Sequence, residues 1–167
     1  MPIDLSRLGP GDAVAALRSY PRRFRSAFAP VDDDESVEEI AQRMGPDGES
    51  ALDVATDLVR TWTVLREALR RIQVDDEPVV HAGVVDPSER HWDQPPHGSV
   101  VAVLDQLDEA ASQVADAVAG VPGDQWERTG RVAGGGTVTA LDVAREAVQV
   151  GHDALGAAER TLAAVRR

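Results

Sequence analysis

The sequence predicts an all-α fold, a four-helix bundle, and three observations lead there. Long segments carry apolar residues at alternating spacings of three and four, the period of a helix face turned toward other helices. Strand signals are scarce. Small residues line one face of the last segment, as in closely packed bundles. At 167 residues with 43% hydrophobic content, the chain is long enough to bury one core and too short for two, so one domain is expected over residues 1–167.

The first segment is interrupted by Pro21, which has no amide donor and disfavours helical angles at Tyr20. A short helix is therefore expected over residues 12–19 and another over 21–29, together sending Val14, Leu17, Phe24 and Phe28 to the core. Ser36, followed three residues later by Glu39, has the spacing of a capping box and predicts a short helix over 36–44. Gly45-Pro46-Asp47-Gly48 reads as a turn. Over 50–73, Ala51, Ala55, Leu58, Trp62, Leu65, Leu69 and Ile72 recur at helical spacing, with Ser50 and Asp53 marking the start.

The third long helix, 99–120, carries Val100, Leu104, Leu107, Ala111, Val114 and Val118. The fourth, 139–166, carries Leu141, Ala144, Val148, Gly151, Leu155, Ala158, Leu162 and Val165, and Thr139 with Asp142 marks its start. Between the second and third helices, residues 74–98 read as a long acidic, Pro-rich loop holding His81, His91, Trp92 and His97. Residues 120–136 form the other long connection, where Trp126 is expected to anchor a short turn and Gly134, Gly135 and Gly136 to form a flexible link.

Composition excludes several function classes. A net charge of -12 repels phosphate backbones and anionic membrane surfaces, so neither nucleic acid nor membrane is an expected partner. The one basic cluster, Arg18, Arg22, Arg23 and Arg25, has helical spacing and reads as a solvated face. Without cysteine there is no disulfide, thiolate metal site or cysteine nucleophile, and without lysine no Schiff base. No apolar stretch is long enough to span a bilayer, and the first residues lack the order of a signal peptide, so a cytoplasmic protein is expected. The Gly134 run lacks the lysine of a phosphate loop, and no Gly-x-Ser-x-Gly nucleophile elbow occurs.

Few residues remain as candidates for chemistry. His152 is the only histidine on a predicted helix and lies beside the apolar seam, which makes it the candidate catalytic residue. Asp57 and Asp153 come close if the second and fourth helices pack together, and paired carboxylates can share a proton or take up a cation. Trp62 lies on an apolar stripe, as a core residue or the wall of a pocket, while His91, Trp92 and His97 are placed to fold over a bundle end as a lid. Small residues Ala157, Ala158, Ala163 and Ala164 suit close helix approach within one chain or between two, leaving monomer and homodimer open.

Three stretches resemble the DinB-like superfamily, in particular its actinobacterial branch near the mycothiol-dependent maleylpyruvate isomerases. They are Gly48-Glu49-Ser50-Ala51-Leu52-Asp53-Val54-Ala55-Thr56-Asp57, Trp126-Glu127-Arg128-Thr129-Gly130-Arg131, and the run from Thr137 through Leu155. The resemblance implies a DinB-like four-helix bundle. It also implies a divalent metal held by one histidine of the second helix and a His-x-x-x-His pair of the fourth, with a low-molecular-weight thiol as cosubstrate in several members. Those positions fall here at Asp57 and at Gln149 with Asp153 or, one residue over, Val150 with Ala154. None is histidine, so no cofactor is expected, and a metal-independent role in binding a small ligand or another protein follows. The alternative is a metal- and thiol-dependent transferase or isomerase with a shifted site built from Asp57, Gln149, Asp153 and His152.

Overall fold

The structure is a computed structural model that describes residues 3–92 and 98–167. Its helices start where side chains can satisfy the amides that a helix leaves unpaired. The Ser50 hydroxyl accepts from the Asp53 amide at 3.0 Å and the Asp53 carboxylate accepts from the Ser50 amide at 2.8 Å, opening α3, Ala51–Val74. Thr139 and Asp142 repeat the exchange at 3.0 and 2.9 Å to open α5, Ala140–Val165. Ser99 caps α4, Val100–Ala119, through the Ala102 amide, and Ser36 caps the short α2, Val37–Gln42, through that of Glu39. Each such cap contributes about 1 kcal/mol.

The first helix departs from expectation. Instead of two pieces there is one, α1, Pro10–Ala27, with Pro21 inside it. Leu17 and Tyr20 before the proline and Phe24 after it are all buried on one stripe. Burial of such side chains contributes about 1.5–3 kcal/mol each, which together outweighs the roughly 3 kcal/mol cost of an interior proline. Phe28 is buried just beyond the helix end, whereas Val14 is only partly covered.

Packing joins α3 to α4 and α5, and α1 to α4 and α5, so the order around the bundle is α1, α4, α3, α5. The successive long helices α1 and α3 thus face each other diagonally, as do α4 and α5, and the connections between them must cross a bundle end. Two arginines of the basic cluster serve the α1–α4 seam: Arg18 pairs with Asp116 at 3.1 Å, and Arg25 with Asp105 at 2.8 Å and with Asp108. These pairs are exposed and contribute little to stability. Among the described residues, no helix is long and apolar enough to cross a membrane.

The connections hold a small sheet that the sequence does not announce. β1, Val79–Val80, pairs in parallel with β2, Thr129–Val132, which pairs antiparallel with β3, Thr137–Thr139. Gly134, Gly135 and Gly136 form the tight tip between β2 and β3, all with positive φ, and so act as a defined turn where a flexible link was expected. The sheet lies against the end of α3. A side chain at Gly130 would stand 3.1 Å from Ile72, and the Arg128 guanidinium donates to the carbonyls of Ile72 at 2.8 Å and Asp75 at 2.9 Å.

Candidate functional site

The contact between α3 and α5 leaves a cleft of about 280 Å3. Val54, Asp57, Leu58 and Thr61 come from one face of α3, and Val150, Asp153, Ala154 and Ala157 from one face of α5. Glu49, Pro87 and Arg90 complete the rim from the flanking connections. Aliphatic side chains therefore form much of the wall, with carboxylates and one guanidinium at its edges.

The candidate residues separate around this cleft. Asp57 and Asp153 both line it. Gln149 does not, and its amide donates to Asp153 at 2.8 Å. His152 is half-buried on α5 and is not among the lining residues. Trp62 is enclosed in the core and forms no wall of the cleft. His91 is exposed, and His97 lies outside the described residues. The Trp92 indole donates to the Thr61 hydroxyl at 3.2 Å, and its ring centroid lies 5.7 Å from that of His81.

Arg90, with Glu49, Thr61 and Pro87, is among the cleft residues that sequence reasoning missed. Its Nε donates to the Gly83 carbonyl at 2.7 Å and its Nη2 to the Glu146 carboxylate at 2.7 Å. The two side chains are only 13% and 28% exposed, so this pair is partly removed from solvent screening. No periodicity marks an arginine in an irregular loop.

Beside the cleft, aromatic rings fill the bundle centre. Tyr20 donates through its hydroxyl to the Val148 carbonyl and Trp62 through its indole to the Ala147 carbonyl, both at 2.9 Å. Burial pushes the Tyr20 phenol up to about 12; Arg23, 5.5 Å from the ring centroid, opposes the shift and the Asp153 carboxylate adds to it. The folded state therefore holds this proton more tightly than the unfolded chain, whose tyrosine titrates near 10. The associated stability is complete below pH 10 and is lost as pH rises through about 12. Tyr20 is the only tyrosine and lysine is absent, so urea melts from pH 9 to 12 are expected to show this alkaline decline in the native sequence and lose it in Tyr20→Phe.

Among the described residues, no group of three or more His, Asp and Glu side chains is placed to hold a metal ion. No family model matches the sequence, and no curated protein matches it. Among solved structures, the chain is similar to YfiT from Bacillus subtilis, described as a probable metal-dependent hydrolase with an unusual four-helix bundle topology. The TM-score is 0.70 over 98% of this chain and 91% of that one, at 13% identity. The fold is a four-helix bundle of that architecture. At this identity the likeness carries architecture and not chemistry.

The three stretches that resemble the DinB-like superfamily each hold part of that architecture in place. Ser50 with Asp53 and Thr139 with Asp142 start α3 and α5. In the stretch between them, the Trp126 carbonyl receives the Leu141 amide, Arg128 covers the last carbonyls of α3, and Gly130 admits the sheet against Ile72.

Proposed function

We propose that this DinB-like bundle binds a small organic ligand in the α3–α5 cleft and does so without a metal. The observation that carries the proposal is the donor set. Of the positions that the resemblance assigns to a metal, Asp57 and Asp153 supply carboxylates, Gln149 lies outside the cleft lining, and Val150 and Ala154 offer only hydrocarbon. Zinc takes four ligands rich in nitrogen or sulfur, which this lining lacks; one or two carboxylates with water can hold magnesium, but among the described residues no group of three or more His, Asp and Glu side chains gathers to hold an ion firmly. The chemistry that YfiT's description names is accordingly not carried over.

The same lining suits a small molecule. Val54, Leu58, Val150, Ala154 and Ala157 give it apolar contact, while Asp57, Asp153 and Arg90 fix its orientation. A thiol of the kind used in the mycothiol-dependent branch would enter as such a ligand, because the chain has no cysteine of its own.

Metal analysis tests the proposal. Protein purified from zinc- and manganese-supplemented medium is expected to carry far less than one divalent ion per chain, with a melting temperature unmoved by EDTA. A stoichiometric metal, lost in Asp57→Ala and Asp153→Ala, together with turnover that requires an added thiol, would overturn it in favour of the shifted-site transferase or isomerase.

A further inference from the structure

We infer that residues 85–92 form a flap over the α3–α5 cleft, held shut by a clasp between Arg90 and Glu146. The inference rests on the cleft being the binding site proposed above. It concerns how that site is entered.

The segment is built to move as a unit on a fixed root. Before it, Val80, Gly83 and Val84 are buried and β1 is paired with β2. The root is tight: a side chain at Gly83 would stand 2.9 Å from the His81 ring and 3.2 Å from Arg90. From Val85 to Glu89 every residue is exposed, so this stretch buries little that would hold it to the helices. Its own hydrogen bonds are local, from the Ser88 amide to the Asp86 carboxylate at 2.9 Å and from the Arg90 amide to the Pro87 carbonyl at 3.1 Å.

Attachment to the bundle comes at the far end of the segment. Trp92 reaches Thr61 on α3, and Arg90 reaches Glu146 on α5, one turn before the cleft residue Val150. Arg90 also holds Gly83 at the root, so one guanidinium ties both ends of the segment to α5. Pro87 and Arg90 themselves line the cleft. Releasing the guanidinium thus removes part of the cleft wall, while the buried contacts of the helices are untouched.

The charge pair is mostly enclosed, so removing one partner leaves the other poorly compensated, unlike a surface pair whose loss is seldom measurable. Hydrogen exchange of the intact chain, read peptide by peptide with no ligand or metal added, tests the clasp. In Arg90→Gln and in the milder Glu146→Gln, exchange of residues 85–92 is expected to rise by about tenfold while α3 and α5 keep their protection. The charge-reversed double variant, Arg90→Glu with Glu146→Arg, is expected to restore much of it.

Unchanged exchange in Glu146→Gln would overturn the inference. So would a rise of equal size throughout α3 and α5, since the pair would then support the whole bundle. Because these measurements use the empty protein, their failure leaves the ligand-binding proposal standing. A metal found in the cleft would remove that proposal and leave the flap's mechanics intact.

Discussion

Trp62→Ala is expected to lower the unfolding free energy by about 3–5 kcal/mol, the largest single effect among these substitutions. The indole is completely buried, its ring centroid lies 5.9 Å from that of Tyr20, and its N–H is bonded to the Ala147 carbonyl on α5. Truncation removes the contact area, opens a cavity between α3 and α5, and leaves the Tyr20 ring without its partner. For a chain of this size each kcal/mol moves the melting temperature by about 2–4 °C, so thermal unfolding should fall by about 6–20 °C. Trp62→Phe keeps most of the volume and loses the indole hydrogen bond, and should cost clearly less. Equal losses in the two variants would mean that the bond, and not the packing, carries the residue's contribution.

Gly151→Ala is expected to destabilise the protein by about 1–3 kcal/mol, opposite in sign to what helix propensity predicts. Alanine is favoured over glycine inside a helix by about 1 kcal/mol. Here the added methyl carbon would lie 2.6 Å from Tyr20 Cε2 and 2.9 Å from Trp62 Cζ2. Neither ring can withdraw freely, because each is buried and each is hydrogen-bonded to the backbone of α5 itself. Combining Gly151→Ala with Tyr20→Leu should recover part of the loss, a coupling that chemical denaturation of the two single variants and the double variant would measure. A neutral or stabilising Gly151→Ala would show that the two rings can shift at little cost.

The long helices were legible because their signals are local. Apolar spacing and the Ser50 and Thr139 caps lie within the segments they define, and α3, α4 and α5 begin and end within a residue or so of expectation. Pro21 misled because its effect on the backbone is local while the forces that override it are not: Leu17, Tyr20 and Phe24 are held by other helices. β1 has two residues and finds its partner beyond α4, so no period-two pattern could develop. At the cleft, helix phase was enough to suggest Asp57 with Asp153. Arg90 depends on how an irregular loop lies across two helices, and Gly151 on the shapes of rings from α1 and α3.

The pairing of β1 with β2 has a consequence for the order in which the chain assembles. The two strands flank α4, so β1, α4 and β2 form a crossover whose ends meet only through a few hydrogen bonds, among them Arg131 to Pro78 and Ala133 to Val80. Closing so long a stretch costs entropy before any bond is gained, and two paired residues repay little of it. α4 must first dock on α3 and bring the ends together. The β1–β2 pairing at the flap's root is therefore expected to close late, after the helices beneath it have docked.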